Sequence, residues 1–466
     1  MRDLIFSLLV LGMVPVVFRR PFMGLVMFSW LAYMRPQDLT WGFARFQRWS
    51  YLIAIVTFIG FIRSRPKRWF VPNWRSYAMI AMAIVVGISV AVSERPDKDQ
   101  FTKYLEFVKI IVITLFTTAV VVRREQLRML VWIIALSLGF YGIKSGVWGI
   151  MTGLGTPIIR GPGGMMEDNN ALALALAMTV PLLVVLGLTE RRTLVRRAFL
   201  FAVPLTCLTV FLTHSRGGFL SLGGALAVLA WRSRNRVAVF SAAAVIGLVA
   251  VVLAPADYKE RISTITEYET EGSAAGRIYA WGIGFRMTAA NPVLGVGLDK
   301  FRQHYVEFDP NPTAAKLGGH GVIEAHNSYV EIMAESGLVA FGLYMSLLFG
   351  CFSMLWVVRS KAKRHYHTSW ILSYSDMFEA SMVAFVIGGT FLNRAHFDLA
   401  YHLMAIILVF GKMAIREMED PLAYPLRDGV RGELVPIQRR VFGRVAPGFG
   451  RGFGKGQQSA GLLAHG

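Results

Sequence analysis

The chain has 466 residues, of which 55% are hydrophobic and only 17% are charged, and its formal net charge is +20. A soluble protein would carry more charge and fewer apolar runs, so this composition indicates a membrane protein with several spans. The positive charge lies in short clusters between apolar runs, which favours contact with anionic lipid headgroups over nucleic acid binding. The two cysteines lie inside apolar runs, so no disulfide framework is expected.

Apolar segments that are long enough to cross a bilayer as helices recur along most of the chain. Where a segment is short, interfacial aromatic residues complete it. The pattern predicts an all-α polytopic membrane protein with about 12 transmembrane helices, 12 or 13 by count. The predicted spans are 4–17, 22–33, 47–62, 75–92, 101–121, 127–150, 170–188, 197–212, 217–231, 236–254, 336–358, 376–392 and 398–415.

The distribution of Lys and Arg predicts the orientation, because basic residues are retained on the cytoplasmic side of a membrane. One alternate set of connections contains most of the basic clusters, at 63–75, 123–128, 191–197, 232–236 and 359–364. The opposite set contains the one long connection, residues 255–335, which carries seven basic and eleven acidic residues. This long connection is therefore expected to face the periplasm or exterior.

The chain is predicted to divide into four segments. They are N-terminal transmembrane helices (1–254), a periplasmic loop with catalytic elements (255–335), C-terminal transmembrane helices (336–415) and a basic, Gly-rich, disordered cytoplasmic tail (416–466). Within the long loop, the sequence from Ser273 to Ala290 predicts a helix that ends before proline.

Three basic residues of the external side are candidates for function. Arg216 lies in a short turn between two apolar spans, where the positive-inside pattern disfavours a cation, although its side chain could also extend to lipid phosphate. Arg277 lies on the first turn of the loop helix and could be an ordinary surface residue. His326 lies at the head of a helix entering the membrane and could be a capping or interfacial residue.

A turn-rich external segment from Arg160 to Asn170 leads into the next span. Asp168 or Asn169 can cap that helix, whereas Glu167 or Asp168 can orient an acceptor. Arg394, in the last external turn, is a further polar residue near the same leaflet.

Arginines beside a histidine and carboxylates, with no Asp-x-Asp pair, suit a phosphate substrate that is handled without a metal. If a lipid pyrophosphate is the leaving group, Arg216 and Arg277 would neutralise the charge that develops as the glycosidic bond breaks. His326 would then take the proton of an acceptor hydroxyl as general base. Since zinc, nucleotide and acyl-enzyme motifs are absent, no metal and no cofactor are predicted.

A combination of short motifs resembles the O-antigen ligase/polymerase family. The motifs are Ser215-Arg216-Gly217, Arg277-x-x-x-Trp281 with Pro292-x-x-Gly295-x-Gly297, and His326-Asn327-x-Tyr329 running into Glu335-x-Gly337. The opening of the chain and the GPGGMMEDNNALAL segment are similar to the O-glycosylation ligases associated with exosortase systems. The resemblance covers nearly all of residues 1–415 and excludes the tail.

The resemblance implies a GT-C-type glycosyltransferase that moves a glycan from undecaprenyl pyrophosphate to an acceptor at the periplasmic face of the bacterial inner membrane. In O-antigen ligases that acceptor is lipid A-core. Matched residue by residue, the phosphate-binding arginines of the family correspond to Arg216 and Arg277 and its catalytic histidine to His326. Asn327 is a supporting candidate, as are Arg160, Glu167, Asp168 and Arg394.

Several functions are consistent with these features. The first is ligation of O-antigen to lipid A-core, the second is O-antigen polymerisation with the same donor, and the third is O-glycosylation of a protein. A transporter of lipid-linked glycan would instead place charges near the bilayer midplane or show an inverted repeat. The polar residues gather at one leaflet and no convincing repeat is present, which disfavours transport.

Overall fold

The computed structural model describes residues 1–65, 68–94, 96–233, 236, 272–311 and 321–426. These residues are mostly helical, as the apolar pattern predicts. The helices are α1 (Arg2–Arg19), α2 (Pro21–Tyr33), α3 (Trp49–Arg63), α4 (Trp74–Ala91), α5 (Lys98–Val120), α6 (Arg124–Met151), α7 (Asn169–Thr189), α8 (Thr193–Leu212), α9 (Arg216–Arg232), α10 (Gly272–Ala290), α11 (Phe301–His304), α12 (Ser328–Ala362), α13 (Ser369–Gly389) and α14 (Asp398–Glu417).

A small hairpin and two 3-10 helices complete the described structure. The hairpin joins α6 to α7 and pairs β1 (Arg160–Gly163) with β2 (Met166–Asp168) in antiparallel fashion. The 3-10 helices, Pro36–Leu39 and Phe43–Phe46, lie between α2 and α3. Residues 390–397, between α13 and α14, form a segment that we call the α13–α14 turn.

Every predicted span within the described residues corresponds to a helix, but fewer helices than predicted have the length and composition of a membrane span. Seven meet that criterion, namely α4, α6, α7, α8, α12, α13 and α14. The shorter helices α2 and α3 are also apolar. Helices α1 and α5 carry more charged residues than this criterion admits, and α9 has only 17 residues. The predicted span 236–254 falls outside the described residues beyond Arg236, so the total of about 12 stays a prediction.

Helix α7 lies at the centre of the bundle, where it packs against α6, α8, α9 and α13. Within its most apolar window, 89% of the residues are buried. Its alternating Ala-Leu sequence gives it small side chains against which neighbouring helices approach closely. At Gly218 of α9, for example, an added Cβ atom would lie 2.3 Å from the Cβ atom of Ala173.

The antiparallel packing of α4 and α12 defines two ends of the bundle. At one end the Ser89 hydroxyl donates a hydrogen bond to the carbonyl oxygen of Glu335, 3.1 Å away. At the other end the Arg75 guanidinium donates to the carbonyl oxygen of Gly350, 2.7 Å away. His326 precedes α12 and so lies at the first end, which we call the site end. The connections at the second end carry the basic clusters, and we call it the basic end.

Buried ion pairs join three helices near the basic end. Arg359 of α12 contacts the carboxylates of Asp376 (2.8 Å) and Glu379 (2.5 Å), both on α13. Arg232, at the end of α9, contacts Glu379 at 2.7 Å. The side chains of Arg359 and Asp376 are only 5% and 7% exposed, so removal of either one would leave a buried charge with less compensation.

The helix predicted within the long loop is confirmed, because α10 spans Gly272–Ala290 and ends before Asn291 and Pro292. Helix α12 begins earlier than the predicted span 336–358, at Ser328, because Asn327 caps it there. It is interrupted at Gly337, whose φ of 79° and ψ of 177° are not helical. This start agrees with the prediction that His326 lies at the head of a helix, and the first turns of α12 precede the predicted membrane span.

Candidate active site

The chain segment that carries His326 is held by α10. Trp281 of α10 donates its indole N–H to the carbonyl oxygen of Ala325, 2.7 Å away. Arg277 lies one turn earlier on the same face of α10, because residues four apart share a helix face. The backbone just before His326 is thereby fixed against the helix that carries Arg277.

His326 adopts an unusual backbone conformation. Its φ of 45° lies in the left-handed region, which costs a residue with a Cβ atom about 1 to 2 kcal/mol. The next residue, Asn327, caps α12 by accepting hydrogen bonds from the backbone N–H groups of Tyr329 (2.9 Å) and Val330 (3.2 Å). The left-handed turn lets the chain pass directly from the loop into this cap, and Asn327 therefore positions the start of α12.

Burial and charge together lower the pKa of the half-buried His326. Loss of hydration disfavours the imidazolium form, and the nearby Arg277 guanidinium repels it. Glu324 and Asp168 act in the opposite direction, and Arg394 adds a further repulsion. The structure thus brings Arg277, Glu324, Asp168 and Arg394 together around an imidazole that is neutral at neutral pH. A neutral imidazole can accept a proton.

The α13–α14 turn closes this cluster from the other side. The side-chain oxygen of Asn393 accepts a hydrogen bond from the backbone N–H of Asn327 (3.0 Å), and its NH2 group donates to the Glu324 carboxylate (2.5 Å). The backbone N–H of Arg394 donates to the Ser328 hydroxyl at 2.8 Å. The peptide groups on both sides of His326 are therefore anchored, one by Trp281 and the other by Asn393.

Asp168 joins the N-terminal half of the chain to this cluster. One carboxylate oxygen caps α7 by accepting from the backbone N–H of Ala171 (2.9 Å), and the other pairs with the Arg394 guanidinium. Of the two predicted caps, Asp168 performs that role, whereas Asn169 is the first helical residue and donates to the carbonyl oxygen of Thr213 (2.9 Å). Asp168 therefore serves as both a helix cap and an ion-pair partner at the site.

Two of the predicted supporting residues lie outside the cluster. Arg160 is opposite Asp168 in the register of the hairpin, but Arg160 and Glu167 are both exposed. Successive side chains of a strand point to opposite faces, so Glu167 points away from the face that Asp168 presents. Neither residue is among the largest influences on the pKa of His326.

Arg216 is the first residue of α9 and is exposed. Its neighbour Ser215 caps the helix by accepting from the backbone N–H of Gly218 (3.1 Å) and donates to the side-chain oxygen of Asn170 (2.7 Å). Gly217 packs so closely on the α13–α14 turn that an added Cβ atom would lie 2.9 Å from that of Phe391. The same turn therefore flanks both Arg216 and the residues that position His326.

The motif glycines explain how α10 is joined to α12. Gly295 (φ 69°) and Gly337 (φ 79°) both need the left-handed region, and a Cβ atom on either would overlap backbone atoms of the other segment. The Glu335 carboxylate accepts hydrogen bonds from the backbone N–H groups of Asp299 (2.9 Å) and Phe301 (3.2 Å). These contacts fix the end of α10 against the break in α12 and so set the distance between Arg277 and His326.

The sequence did not identify Glu324 or Asn393 as site residues. Glu324 precedes His326 by two positions, but nothing in the linear sequence indicates its bond to Asn393, which is 69 positions away. Among the described residues, no group of three or more His, Cys, Asp or Glu side chains is arranged to hold a metal ion. Metal independence therefore stays a prediction.

Comparison with known proteins identifies two families that parts of the chain match. Residues 199–345 match the O-antigen ligase family, and residues 1–194 match a family of unknown function (DUF5935). The exopolysaccharide production protein ExoQ of Rhizobium meliloti (strain 1021) is 27% identical over 200 residues, which are 41% of this chain. The alignment spans 42% of the length of that relative. The part of the chain that is similar to O-antigen ligases contains Arg216, Arg277 and His326, and the seven helices that are long and apolar enough to span a membrane support a multi-pass membrane protein.

Proposed function

We propose that this protein is an O-antigen ligase, a metal-independent inverting glycosyltransferase of the GT-C type. It transfers O-antigen polysaccharide from undecaprenyl pyrophosphate to lipid A-core in lipopolysaccharide biosynthesis. The observation that carries this proposal is the cluster of His326, Arg277, Asp168 and Arg394 at one end of the bundle, beside Arg216. The O-antigen ligase match over residues 199–345 supports it.

Arg216 and Arg277 bind the pyrophosphate of the donor. A guanidinium group presents a planar fork to phosphate oxygens and stays charged at every relevant pH. Arg216 also lies at the N-terminus of α9, where the helix dipole favours an anion. As the glycosidic C–O bond breaks, negative charge grows on the leaving pyrophosphate, and positioned guanidinium groups stabilise it.

His326 is the general base of the reaction. Its lowered pKa keeps the imidazole neutral at neutral pH, so a ring nitrogen can accept the proton of the acceptor hydroxyl. The acceptor oxygen attacks the anomeric carbon from the face opposite the pyrophosphate, and a single displacement inverts the anomeric configuration. Asp168, Arg394 and Asn327 keep the base in place, whereas Arg160 and Glu167 lie outside this cluster.

The distribution of charge supports a location in the bacterial inner membrane with the site end facing the periplasm. The connections at the basic end carry the Lys and Arg clusters that are retained on the cytoplasmic side. In this orientation the external lipid-linked donor and lipid A-core meet at the leaflet that contains His326.

A second candidate function is polymerisation, in which the acceptor is another lipid-linked glycan chain. The name of the relative from Rhizobium meliloti, an exopolysaccharide production protein, favours this candidate. The donor chemistry at Arg216, Arg277 and His326 would be the same, and only the acceptor would differ.

The lipopolysaccharide ladder of a strain that lacks this gene distinguishes the candidates. Core-only lipopolysaccharide, with long chains retained on undecaprenyl pyrophosphate and no rescue by a His326→Ala copy, is the result expected of a ligase. A core that bears a single repeat would instead indicate a polymerase. An unchanged ladder would refute both, and the glycoproteins of the strain would then be compared to test a protein O-glycosylating ligase.

A further inference from the structure

An apolar groove lies between α2, α3 and α5, remote from the candidate active site. Its volume is about 340 Å³, and Gly24, Phe28, Ile55, Phe58 and Phe116 are among the residues that line it. Leu25 and Phe116 at its base are buried, whereas Ile55 and Ile59 on its rim are 57% and 51% exposed. The groove is therefore open along the side of the bundle that faces the hydrocarbon of the membrane.

The groove offers no hydrogen-bonding group to an occupant. Thr57 is its one lining residue with a polar side chain, and that hydroxyl donates to the carbonyl oxygen of Ile53 within α3 (2.5 Å). Gly24 lets α2 approach Thr57 so closely that an added Cβ atom would overlap the threonine side chain. Hydrocarbon is the chemistry that such a surface accommodates.

The groove ends close to a cluster of positive charge at the basic end. Arg63 follows Ile55 and Ile59 at intervals of four residues, so it continues the same face of α3. Arg20 immediately precedes α2 at the same end, one turn before Gly24. The chain has no Asp or Glu between residues 39 and 93, so no acidic side chain of α3, α4 or their connection neutralises this charge.

The connection after α3 adds an interfacial aromatic residue at this position. Trp69 is 53% exposed and its ring lies 6.0 Å from that of Phe58, which lines the groove. Tryptophan is enriched at the level of the lipid headgroups, where its ring is apolar and its N–H is hydrated. The groove therefore extends from the headgroup level into the hydrocarbon and has cations at its polar end.

We propose that this groove binds an anionic phospholipid, with one acyl chain between α2, α3 and α5 and the phosphate at Arg20 and Arg63. Basic pockets between transmembrane helices at the cytoplasmic surface recognise anionic headgroups in this way. A transmembrane helix of a partner protein would fit less well, because the end of that helix would have to supply negative charge to Arg20 and Arg63. The site does not depend on the proposed glycosyl transfer, because none of its residues contacts the His326 cluster.

The test is lipid binding by the purified full-length protein in a neutral detergent. The protein is titrated with dioleoyl phosphatidylglycerol or dioleoyl phosphatidylcholine, and bound lipid is counted by native mass spectrometry. We expect one phosphatidylglycerol to be retained in preference to phosphatidylcholine. Arg63→Gln should weaken the binding of phosphatidylglycerol about fivefold and leave that of phosphatidylcholine unchanged. Ile59→Trp should fill the groove and prevent retention of either lipid.

Two matched variants control for general effects. Arg192→Gln removes an exposed arginine elsewhere at the basic end, and Ile84→Trp enlarges a side chain of α4 that is 55% exposed. Both should retain lipid as the unmodified protein does. Equal retention of the two lipids, unchanged binding by Arg63→Gln and Ile59→Trp, or a dimer that forms through Ile59 and excludes lipid would each overturn the proposal.

Discussion

Asn393 provides a sensitive test of how the site is positioned. Its side chain bonds to the backbone N–H of Asn327 and to the Glu324 carboxylate, on the two sides of His326. In Asn393→Ala both hydrogen bonds are lost, of which the first is worth about 1 kcal/mol and the bond to the charged group about 2 kcal/mol. His326 then loses an anchor of its left-handed conformation, which is itself unfavourable.

If the whole loss of about 3 kcal/mol raises the activation free energy of transfer, because the base is displaced, turnover falls about 100-fold. A displacement of 1 Å at a catalytic group has an effect of that order. The kinetics should show a lower kcat with little change in KM for the lipid-linked donor, because Arg216 and Arg277 are unaltered. Asn393→Asp should also be impaired, since an aspartate can accept from Asn327 but repels Glu324.

The assay is transfer by purified enzyme in proteoliposomes, with kcat and KM measured separately and the melting temperature recorded. A matched control is Asn73→Ala, which removes the N-cap of α4 at the basic end; its side chain accepts from the N–H of Arg75 at 3.1 Å. The control should lower stability by about 1 kcal/mol and leave kcat unchanged. A normal kcat in Asn393→Ala, or a loss of kcat that follows melting temperature equally in both variants, would refute the positioning role.

Three further predictions concern charge. Arg216→Lys should lose most transfer activity, because a point charge does not replace a guanidinium fork; near-normal kinetics would assign Arg216 to lipid anchoring. Glu324→Gln keeps a hydrogen-bond acceptor but removes a charge that raises the pKa of His326. Since a lower pKa leaves the base neutral at lower pH, the acid limb of the pH profile of kcat should move to lower pH. An unmoved limb, or a shift to higher pH, would contradict the assignment of His326 as the base. Arg359→Leu removes the guanidinium that lies 2.8 Å from the buried Asp376 carboxylate. Thermal unfolding should show a loss of stability of about 3 to 5 kcal/mol, and the acid limb of the pH profile of kcat should not move.

The helices could be predicted from the sequence because apolar content and proline positions are local signals. The helix of the long loop is the clearest case, since Asn291 and Pro292 mark its end and α10 stops at Ala290. The start of α12 just after His326 was also predicted, whereas the membrane span located by hydropathy begins later because the first turns contain Glu331 and Glu335. The cap at Asn327 was the local signal for the true start.

The candidate site could be predicted only in part. Arg277 and His326 belong to motifs, and the structure brings them together as expected. Asn393 lies 66 and 69 positions from its two partners, so its role follows from tertiary packing of the α13–α14 turn and not from any local pattern. The exposed Glu167 shows the converse, because a carboxylate beside Asp168 in sequence is turned away from it by the strand.

The most direct test of the account is glycan transfer by purified His326→Ala in proteoliposomes that contain undecaprenyl pyrophosphate-linked O-antigen and lipid A-core. The unmodified enzyme should form the lipid A-core conjugate without added metal, with inversion at the anomeric carbon. The variant should bind the donor with unchanged affinity, since Arg216 and Arg277 remain, while turnover falls by about 100- to 10,000-fold. Turnover close to that of the unmodified enzyme in a folded variant would contradict the assignment of His326 as the base.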